Sequence, residues 1–321
     1  LKTKAERILF VIDANRRMVT DQKGGLNSYK VIKDEITDMV GNLSAGTLFN
    51  VMLQDESRTM LFKPKLSSAG SKAHQQLIQW LTPINSDATN VGLEQNPSAK
   101  TPKLSALADE EMHQILPIVP WNITAFMTQH VLEQNVDTIF FITGHHSGFA
   151  GLRRGPNERE KADYDRAVAK PDYQKQLAKF HAEIPKMRAR ISAELAKINA
   201  QRKAQGLPPR VLAHRSSVTS NAQELGLAWE NYRPPSPPTT FSVDDRLVRK
   251  YFGKLVDELY ETHDKPVPSV NVVLFLAGDE VFDKGAEQQL DQYVKFFRGR
   301  KRVIRGEDEI KSARSSKDTK N

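Results

Sequence analysis

The chain contains no cysteine among its 321 residues. A disulfide framework and thiol chemistry are therefore excluded, while a cytoplasmic and an exported location both stay open. No apolar run approaches the ~18 residues of a membrane-spanning helix, and no signal peptide is recognisable. Because the chain starts with Leu1 rather than Met, we expect either that a leader or anchor was removed or that the chain was shortened.

Charge is unevenly distributed along the chain, whose net charge is +8. Residues 153–210 carry 15 Lys and Arg against 7 Asp and Glu, and residues 298–321 carry 9 against 4. Such regions can bind nucleic acid, anionic lipid or an acidic protein, although a solvated helix face and a disordered tail are commoner. Aromatic residues make up only 7% of the chain and do not alternate with the basic ones, which disfavours nucleic acid.

Short apolar runs predict the central strands of a sheet. The strongest are residues 8–12, 48–53, 139–142 and 270–277. Their hydrophobicity is continuous rather than alternating, which is typical of strands buried on both faces of a parallel sheet. Residues 58–62 predict a hairpin partner for the second strand, and residues 302–304 predict an edge strand.

Helical periodicity occupies the connections between these strands. Apolar residues recur at helical spacing in residues 29–40, 71–81, 247–259 and 290–297. A further helical region within residues 104–132 holds Pro117 and Pro120, so we expect it to be kinked or divided. Ser242, with Asp245 three residues on, is expected to cap the helix of residues 247–259. Alternating strands and helices predict a doubly wound, mostly parallel α/β sheet flanked by helices.

A long insertion separates the third and fourth strong strands by about 120 residues, far more than a crossover helix needs. Apolar residues from Tyr173 to Ile198 repeat in a near-heptad pattern, which predicts a long or broken helix packed along one stripe. Pro185 is expected in the first turn of a second helix, and Gly206 just beyond its end. Residues 233–238 read Arg-Pro-Pro-Ser-Pro-Pro and predict an extended connector.

The resulting domain organisation has three parts. Residues 1–150 and 243–310 are expected to form the α/β domain, and residues 151–242 a helical and proline-rich insertion. Residues 311–321 are expected to form a disordered tail.

Ligands of open α/β sheets bind beyond the carboxyl ends of the strands. Polar residues follow three of the predicted strands, and they are Asp13, Asn15, Arg16 and Arg17, residues 143–147, and Gly278, Asp279 and Glu280. A further polar loop, residues 85–90, precedes the proline-containing helical region. With these positions, the chain resembles a von Willebrand factor type A domain. The resemblance rests on residues 13–18, 49–53 with 59–62, 87–90, 137–144 and 272–275, in that order.

The resemblance covers residues 5–150 and 243–305 and implies a Rossmann-like fold, a role in protein binding or adhesion, and a metal-ion-dependent adhesion site. In that family, Mg²⁺ is bound by Asp, Ser and Ser of the first loop, Thr of the second and Asp of the third. Asp13 and Thr89 match the first Asp and the Thr, and Asn15 takes the position of the first Ser. Arg17 and Gly144 take the positions of the second Ser and the second Asp.

This substitution pattern predicts a degenerate metal site. A guanidinium ~4 Å from a divalent ion is repelled by about 8 kcal/mol at an effective dielectric constant near 20. We therefore expect no cofactor and disfavour Mg²⁺, whose ligands would be Asp13, Asn15 and Thr89. Arg16 or Arg17 is expected to pair with Asp13 and to take the place of the metal.

Two further hypotheses concern the adjacent histidines. His145 and His146, with Asp13, Thr89 and Asp279, would offer a softer site for Zn²⁺ or Ni²⁺. Ser147 beside His146 is the one visible pair of nucleophile and base. The structural alternative is that the histidines form hydrogen bonds within their loop, one of them filling the space left by Gly144.

The sequence as a whole predicts a non-enzymatic protein-interaction module with no catalytic residues. Its interaction face is formed by Asp13, Asn15, Arg16, Arg17, Thr89, His145 and His146. The partner is expected to be a protein, of unknown identity, and the oligomeric state is open. The alternatives are a metal-dependent protein that uses Asp13 with His145 and His146, with hydrolysis as one option, and polyanion binding through the basic insertion. The cell envelope or an exported location is favoured, because type A modules are often displayed there.

Overall fold

A computed structural model describes residues 6–105, 122–149, 152–277 and 280–305. The chain divides into two compact units, one comprising Leu1–Leu152 with Asp244–Asn321 and the other Arg153–Val243. Most of the proline-containing helical region, residues 278 and 279, and the expected disordered tail lie outside the described residues.

A mostly parallel sheet forms the centre of the first unit. The strands, in chain order, are β1 (Arg7–Asp13), β2 (Leu48–Asp55), β3 (Arg58–Leu61), β4 (Ser67–Ser68), β5 (Thr138–Thr143), β6 (Arg153–Arg154), β7 (Phe241–Ser242), β8 (Ser269–Leu276) and β9 (Lys301–Arg305). The order across the sheet is β3-β2-β1-β5-β8-β9, and β4 also pairs with β2. β3 and β4 run antiparallel to β2, while the other neighbours are parallel. The predicted parallel sheet, hairpin and edge strand are thus confirmed.

The strands of the sheet differ in how far their side chains are buried. β1, β2 and β5 are buried along nearly their whole length, as their continuous apolar runs predict. β8 instead alternates between buried and partly exposed residues. The partly exposed side chains of Val273 and Phe275 line an apolar cavity of about 210 Å³ together with residues of the first helix. The expectation that β8 is buried on both faces is therefore wrong.

Helices flank the sheet of the first unit and make up most of the second unit. They are α1 (Gly25–Gly41), α2 (Ser71–Leu81), α3 (Ile123–Leu132), α4 (Glu158–Val168), α5 (Pro171–Ala204), α6 (Val218–Glu224), α7 (Asp245–Leu259) and α8 (Lys284–Phe296). α4, α5 and α6 lie in the second unit. α1 begins at a turn in which Gly24, the residue before the helix, and Gly25, its first residue, have φ values of 86° and 69°, a conformation that glycine adopts without a steric penalty.

The start of α7 corrects two details of the sequence analysis. Asp244, not Ser242, caps the helix, and its carboxylate accepts the N–H of Arg246 at 2.7 Å. Ser242 lies in β7 instead. Leu247 was expected in the buried stripe but is 44% exposed, and Val248 is buried in its place. Successive four-residue steps drift around a helix of 3.6 residues per turn, so Leu247 lies off the stripe that contains Tyr251.

The predicted break at Pro185 is also wrong, because α5 is one helix of 34 residues that contains Pro185 in its interior. A proline inside a helix lacks the N–H that would bond to the preceding turn. Packing on both sides of Pro185 offsets this loss. Phe180 stacks on Trp229 with ring centroids 4.9 Å apart, and Met187 lies in an apolar cluster with Leu212. The helix ends at Ala204, just before Gly206, as the sequence predicts.

Candidate functional site

The carboxyl ends of β1, β5 and β8 meet at one edge of the sheet, because these strands are parallel neighbours. Asp13 ends β1, and Thr143 ends β5. We call this edge, with the loops that follow the strands, the strand-end site; its central side chains are Asp13, Asn15, Lys23, Asp55 and Thr143.

Asp13 is held by neutral donors of the chain itself. Its Oδ1 accepts the N–H of Asn15 at 2.9 Å, and its Oδ2 accepts the hydroxyl of Thr143 at 2.7 Å. Burial of much of the carboxyl raises its pKa by desolvation, and the two hydrogen bonds oppose this rise. The nearby Asp55 raises the pKa of Asp13 further. The environment of Asp13 thus favours the uncharged carboxylic acid more than water does.

The predicted pairing of Asp13 with Arg16 or Arg17 is wrong. Among the ion pairs that the described residues form, none joins Asp13 to either arginine. The side-chain oxygen of Asn15 accepts the N–H of Arg17 at 2.9 Å and so caps a short 3₁₀ turn, Arg16–Val19. Arg17 is exposed in this turn, so its guanidinium is left to water rather than to Asp13.

Asn15 joins Asp13 to a second acid that the sequence analysis did not select. Its Nδ2 donates to Oδ1 of Asp55 at 3.1 Å, and the other oxygen of Asp55 accepts the N–H of Leu93 at 2.7 Å. Asp55 is buried and ends β2, the strand beside β1. Asp55 could have been identified from the sequence, because it is an acid that comes just after the second predicted strand.

A largely buried lysine supplies the fixed positive charge of the strand-end site. The ammonium of Lys23 donates to the carbonyl oxygens of Phe275 at 2.8 Å and Gly144 at 3.3 Å, and it pairs with Glu280. The side chain of Lys23 is only 12% exposed. A Cβ added to Gly144 would lie 2.7 Å from Sδ of Met18 and 3.5 Å from Cε of Lys23. Met18 and Lys23, not a histidine, thus occupy the space beside Gly144.

The two adjacent histidines have different environments. His146 is buried, its ring centroid lies 4.6 Å from that of Tyr293, and its Nδ1 accepts the N–H of Gly148 at 3.1 Å. Desolvation lowers the pKa of His146 to about 3. His146 is therefore part of the core and not of the expected interaction face. His145 is exposed, and partial desolvation and the charge of Arg17 lower its pKa.

The proposed pair of nucleophile and base is not formed. The hydroxyl of Ser147 lies 3.0 Å from that of Thr124, whereas Nδ1 of His146 is used by a backbone N–H. The low pKa of His146 also makes its imidazole a weak base.

Thr89 is exposed and bonds within its own loop, where its hydroxyl donates to Oδ2 of Asp87 at 3.0 Å. A different residue of this loop reaches the strand-end site. Asn85 is buried and donates to the carbonyl of Ala14 at 2.9 Å, while its oxygen accepts the N–H of Gly92. The motif match pointed to Thr89 and missed Asn85, whose positive φ of 49° is a property of the folded loop.

The residues present do not fit the Mg²⁺ shell that the resemblance implies. The side-chain oxygens of Asp13, Asn15 and Thr89 all take part in hydrogen bonds within the chain, and Gly144 offers none. In the part of the chain that the structure describes, no three His, Cys, Asp or Glu side chains are grouped so as to hold a metal ion. Asp279 of the Zn²⁺ or Ni²⁺ hypothesis lies outside the described residues.

The exposed part of the expected interaction face is smaller than predicted. Arg17, Thr89 and His145 are exposed, while Asp13, Asn15 and Arg16 are partly exposed. Val281, which was not expected in this face, follows β8 and is 89% exposed. Nearby, Arg305 at the end of β9 donates to the carbonyl oxygen of Glu280 at 2.7 Å.

Comparisons with known proteins assign no family to the chain. No protein-family model matches it, and no curated protein matches it. Among solved structures, a point mutant of the PilB minor pilin from Streptococcus sanguinis aligns with 98% of this chain and 61% of its own, at 9% identity and a TM-score of 0.37. This chain thus spans less than two thirds of that pilin chain, and so low a score supports no conclusion about fold or function. Among the described helices, none is long and apolar enough to cross a membrane.

Proposed function

We propose that the chain is a non-catalytic protein-interaction module of the von Willebrand factor type A kind, displayed at the cell envelope. In this proposal the strand-end edge of the sheet binds a protein partner without a metal ion. The matching sequence segments and the parallel sheet with an antiparallel edge strand, β3, support the type A assignment.

The position of the Lys23 ammonium is the main support for a metal-free site. The ammonium lies at the carboxyl ends of β5 and β8, beside the position where the family places its second metal-binding aspartate. A divalent ion in this loop would meet the ammonium of Lys23, whose charge Glu280 offsets only in part, and only one family carboxylate, Asp13. Because like charges at short range repel strongly in a partly desolvated site, the site is suited to metal-free contact.

The exposed residues define the chemistry of the partner. Arg17 offers a guanidinium, Val281 an exposed apolar side chain, and Thr89 and His145 offer polar groups. An interface usually combines an apolar centre with a polar rim. The partner surface is therefore expected to present carboxylates around an apolar residue.

Metal independence is tested by thermal unfolding with Mg²⁺, Mn²⁺ or EDTA. An ion bound at a hundred times its Kd would add about 2.7 kcal/mol of stability and raise the midpoint of thermal unfolding. We expect no ion to bind, so the midpoint should be the same in Mg²⁺, Mn²⁺ and EDTA. An increase with either ion that Asp13→Ala abolishes would overturn the metal-free proposal.

Binding is tested by immobilising the chain and exposing it to an envelope extract in EDTA. We expect specific proteins to be retained by the wild type and lost with Arg17→Glu/Val281→Asp. The matched control is Arg246→Glu/Leu247→Asp, which changes two exposed residues in the first turn of α7 and is expected to retain the same proteins. Retention that needs a divalent ion, or that both double variants lose equally, would contradict the proposed face.

A further inference from the structure

The net charge of the chain resides in the second unit. Residues 153–243 contain 17 Lys and Arg against 9 Asp and Glu, whereas the rest of the chain contains 30 of each. The excess of positive charge is therefore a property of one compact part of the molecule, and that part is built around α5.

Five of these basic residues lie along one face of α5. They are Lys175, Lys179, Lys186, Arg190 and Lys197, and we call them the basic stripe. Their spacing of four and seven residues keeps them on one face of a helix. The stripe spans roughly 33 Å at the helical rise of 1.5 Å per residue, and all five residues are exposed. The buried residues Phe180, Met187 and Ile191 lie on a different face.

Little within the unit neutralises the basic stripe. Among the ion pairs of the described residues, none involves Lys175, Lys179 or Lys186. Lys197 lies 3.7 Å from Glu194 in a pair that is open to water, and such pairs contribute little. The nearby carboxylate of Glu183 is used by Trp229 and Asn231. The stripe thus presents its charge to whatever lies against this helix.

Small residues separate the cations. Ala182 and Ala193 lie on the same face and are exposed, so the long basic side chains project beyond the surface between them. The stripe contains no aromatic residue that could stack on a base. Four of its five cations are lysines, which act as point charges and require no fixed geometry of the anion.

We propose that the basic stripe of α5 binds the surface of an anionic phospholipid membrane. A row of basic residues along one helix face can approach a flat anionic surface at several points, and the absence of large apolar side chains on this face predicts contact with headgroups without insertion. This proposal is independent of the partner proposed for the strand-end site. It assigns the second unit the role of holding the chain against a membrane.

Co-sedimentation with vesicles tests the proposal. The probes are vesicles of phosphatidylcholine alone and of phosphatidylcholine with an equal part of phosphatidylglycerol. We expect the full chain to bind only the anionic vesicles and to dissociate as the salt concentration rises, because counter-ions screen exposed charges. Each basic residue near an anionic surface is worth about a fivefold change in affinity. Lys175→Gln/Lys179→Gln/Lys186→Gln/Lys197→Gln is thus expected to weaken binding by on the order of 500-fold.

The matched control removes the same number of charges elsewhere. Lys65, Lys72, Lys250 and Lys284 are exposed lysines of the first unit, and their change to Gln is expected to weaken binding less than about fivefold. Both variants are expected to fold, since every change is at an exposed position, and circular dichroism verifies this. Equal losses in the two variants, or no binding of the wild type to anionic vesicles, would overturn the proposal. So would stripe-dependent binding to duplex DNA without binding to the vesicles, which would identify nucleic acid as the partner.

Discussion

At the scale of single residues, the charge and stability of the strand-end site depend on which basic side chain is buried there. The sequence offers Arg16, Arg17 and Lys23 after the first strand, and the motif match draws attention to Arg17. In the folded chain Arg17 is exposed, and Lys23 is enclosed by carbonyl oxygens and Glu280. An enclosed cation with several acceptors affects stability more than an exposed one.

Lys23→Met is expected to lower the free energy of unfolding by about 2–3 kcal/mol, because it leaves the carbonyl of Phe275 and the carboxylate of Glu280 without their charged donor. The control Arg17→Met removes an exposed cation from the same loop and should change stability by less than about 0.5 kcal/mol. Urea unfolding followed by circular dichroism measures both. Similar losses in the two variants would show that Lys23 is not the enclosed cation.

His146 gives the stability of the chain a defined dependence on pH. Its pKa falls from 6.5 to about 3 on folding, so the unfolded chain binds the proton more tightly than the folded one. Stability is therefore lost as the pH falls below about 6.5 and continues to be lost until about pH 3. At pH 5 the loss from this one residue is about 2 kcal/mol, at 1.36 kcal/mol per pKa unit.

His146→Phe tests this dependence, since a phenyl ring can pack against Phe141 and Tyr293 as the imidazole does. We expect lower stability at pH 7, because the N–H of Gly148 loses its acceptor. The decrease between pH 7 and pH 5 should be about 2 kcal/mol smaller than in the wild type. The exposed His263 serves as the control, and His263→Phe should leave the decrease unchanged. An equal decrease in His146→Phe and the wild type would refute the assignment.

At the scale of secondary-structure elements, α5 shows packing prevailing over local preference. Its near-heptad apolar repeat predicts one continuous stripe, while Pro185 predicts an interruption. The helix stays continuous because the apolar residues Phe180 and Met187 pack against the rest of the second unit on the two sides of the proline. The lost hydrogen bond remains as a local cost within an otherwise regular helix.

Pro185→Ala is expected to stabilise the second unit by about 1–3 kcal/mol, because proline inside a helix costs about 3 kcal/mol relative to alanine. Thermal unfolding followed by circular dichroism at the helical band measures the gain. If Pro185 instead occupied the first turn of a separate helix, where proline is favourable, the same change would be neutral or destabilising. The sign of the effect thus distinguishes one helix from two.

At the scale of the whole molecule, the second unit is an insertion with adjacent ends. Arg153 of β6 pairs with Ser242 of β7, which brings the first and last residues of the insertion within a few ångströms of each other, since paired strands lie ~5 Å apart. The first unit keeps all the strands of the central sheet. Removal of the insertion therefore leaves a short gap for a linker to span.

Replacement of residues 153–243 by a short Gly-Ser linker is expected to leave a first unit that folds cooperatively, with its net charge reduced from +8 to zero. Well-dispersed amide resonances and a single unfolding transition would verify this. The shortened chain should also lose the binding to anionic vesicles proposed for the basic stripe. Loss of the folded sheet on removal of the insertion would show that the first unit depends on the second.

The sequence by itself determined the long strands of the sheet, its hairpin and edge strand, and most of the helices, but not the two-residue strand β4. Short apolar runs specified β1, β2, β5 and β8, because hydrophobic burial and the spacing of side chains are local properties of a strand. Turn residues and apolar periodicity specified α1 and the end of α5 for the same reason. The polar residues at the strand ends were also predictable, since parallel strands bring their carboxyl ends to one edge.

Only the tertiary structure decided which of these polar residues are buried and what they bind. Asp55 and Asn85 contact the first loop, and Lys23 replaces Arg17 as the fixed cation. His146 enters the core instead of the surface. These outcomes depend on contacts between residues that are far apart in the chain. A shift of one helical turn or of one rotamer decides whether a polar side chain bonds to carbonyl oxygens or to water. Local sequence patterns do not encode that choice.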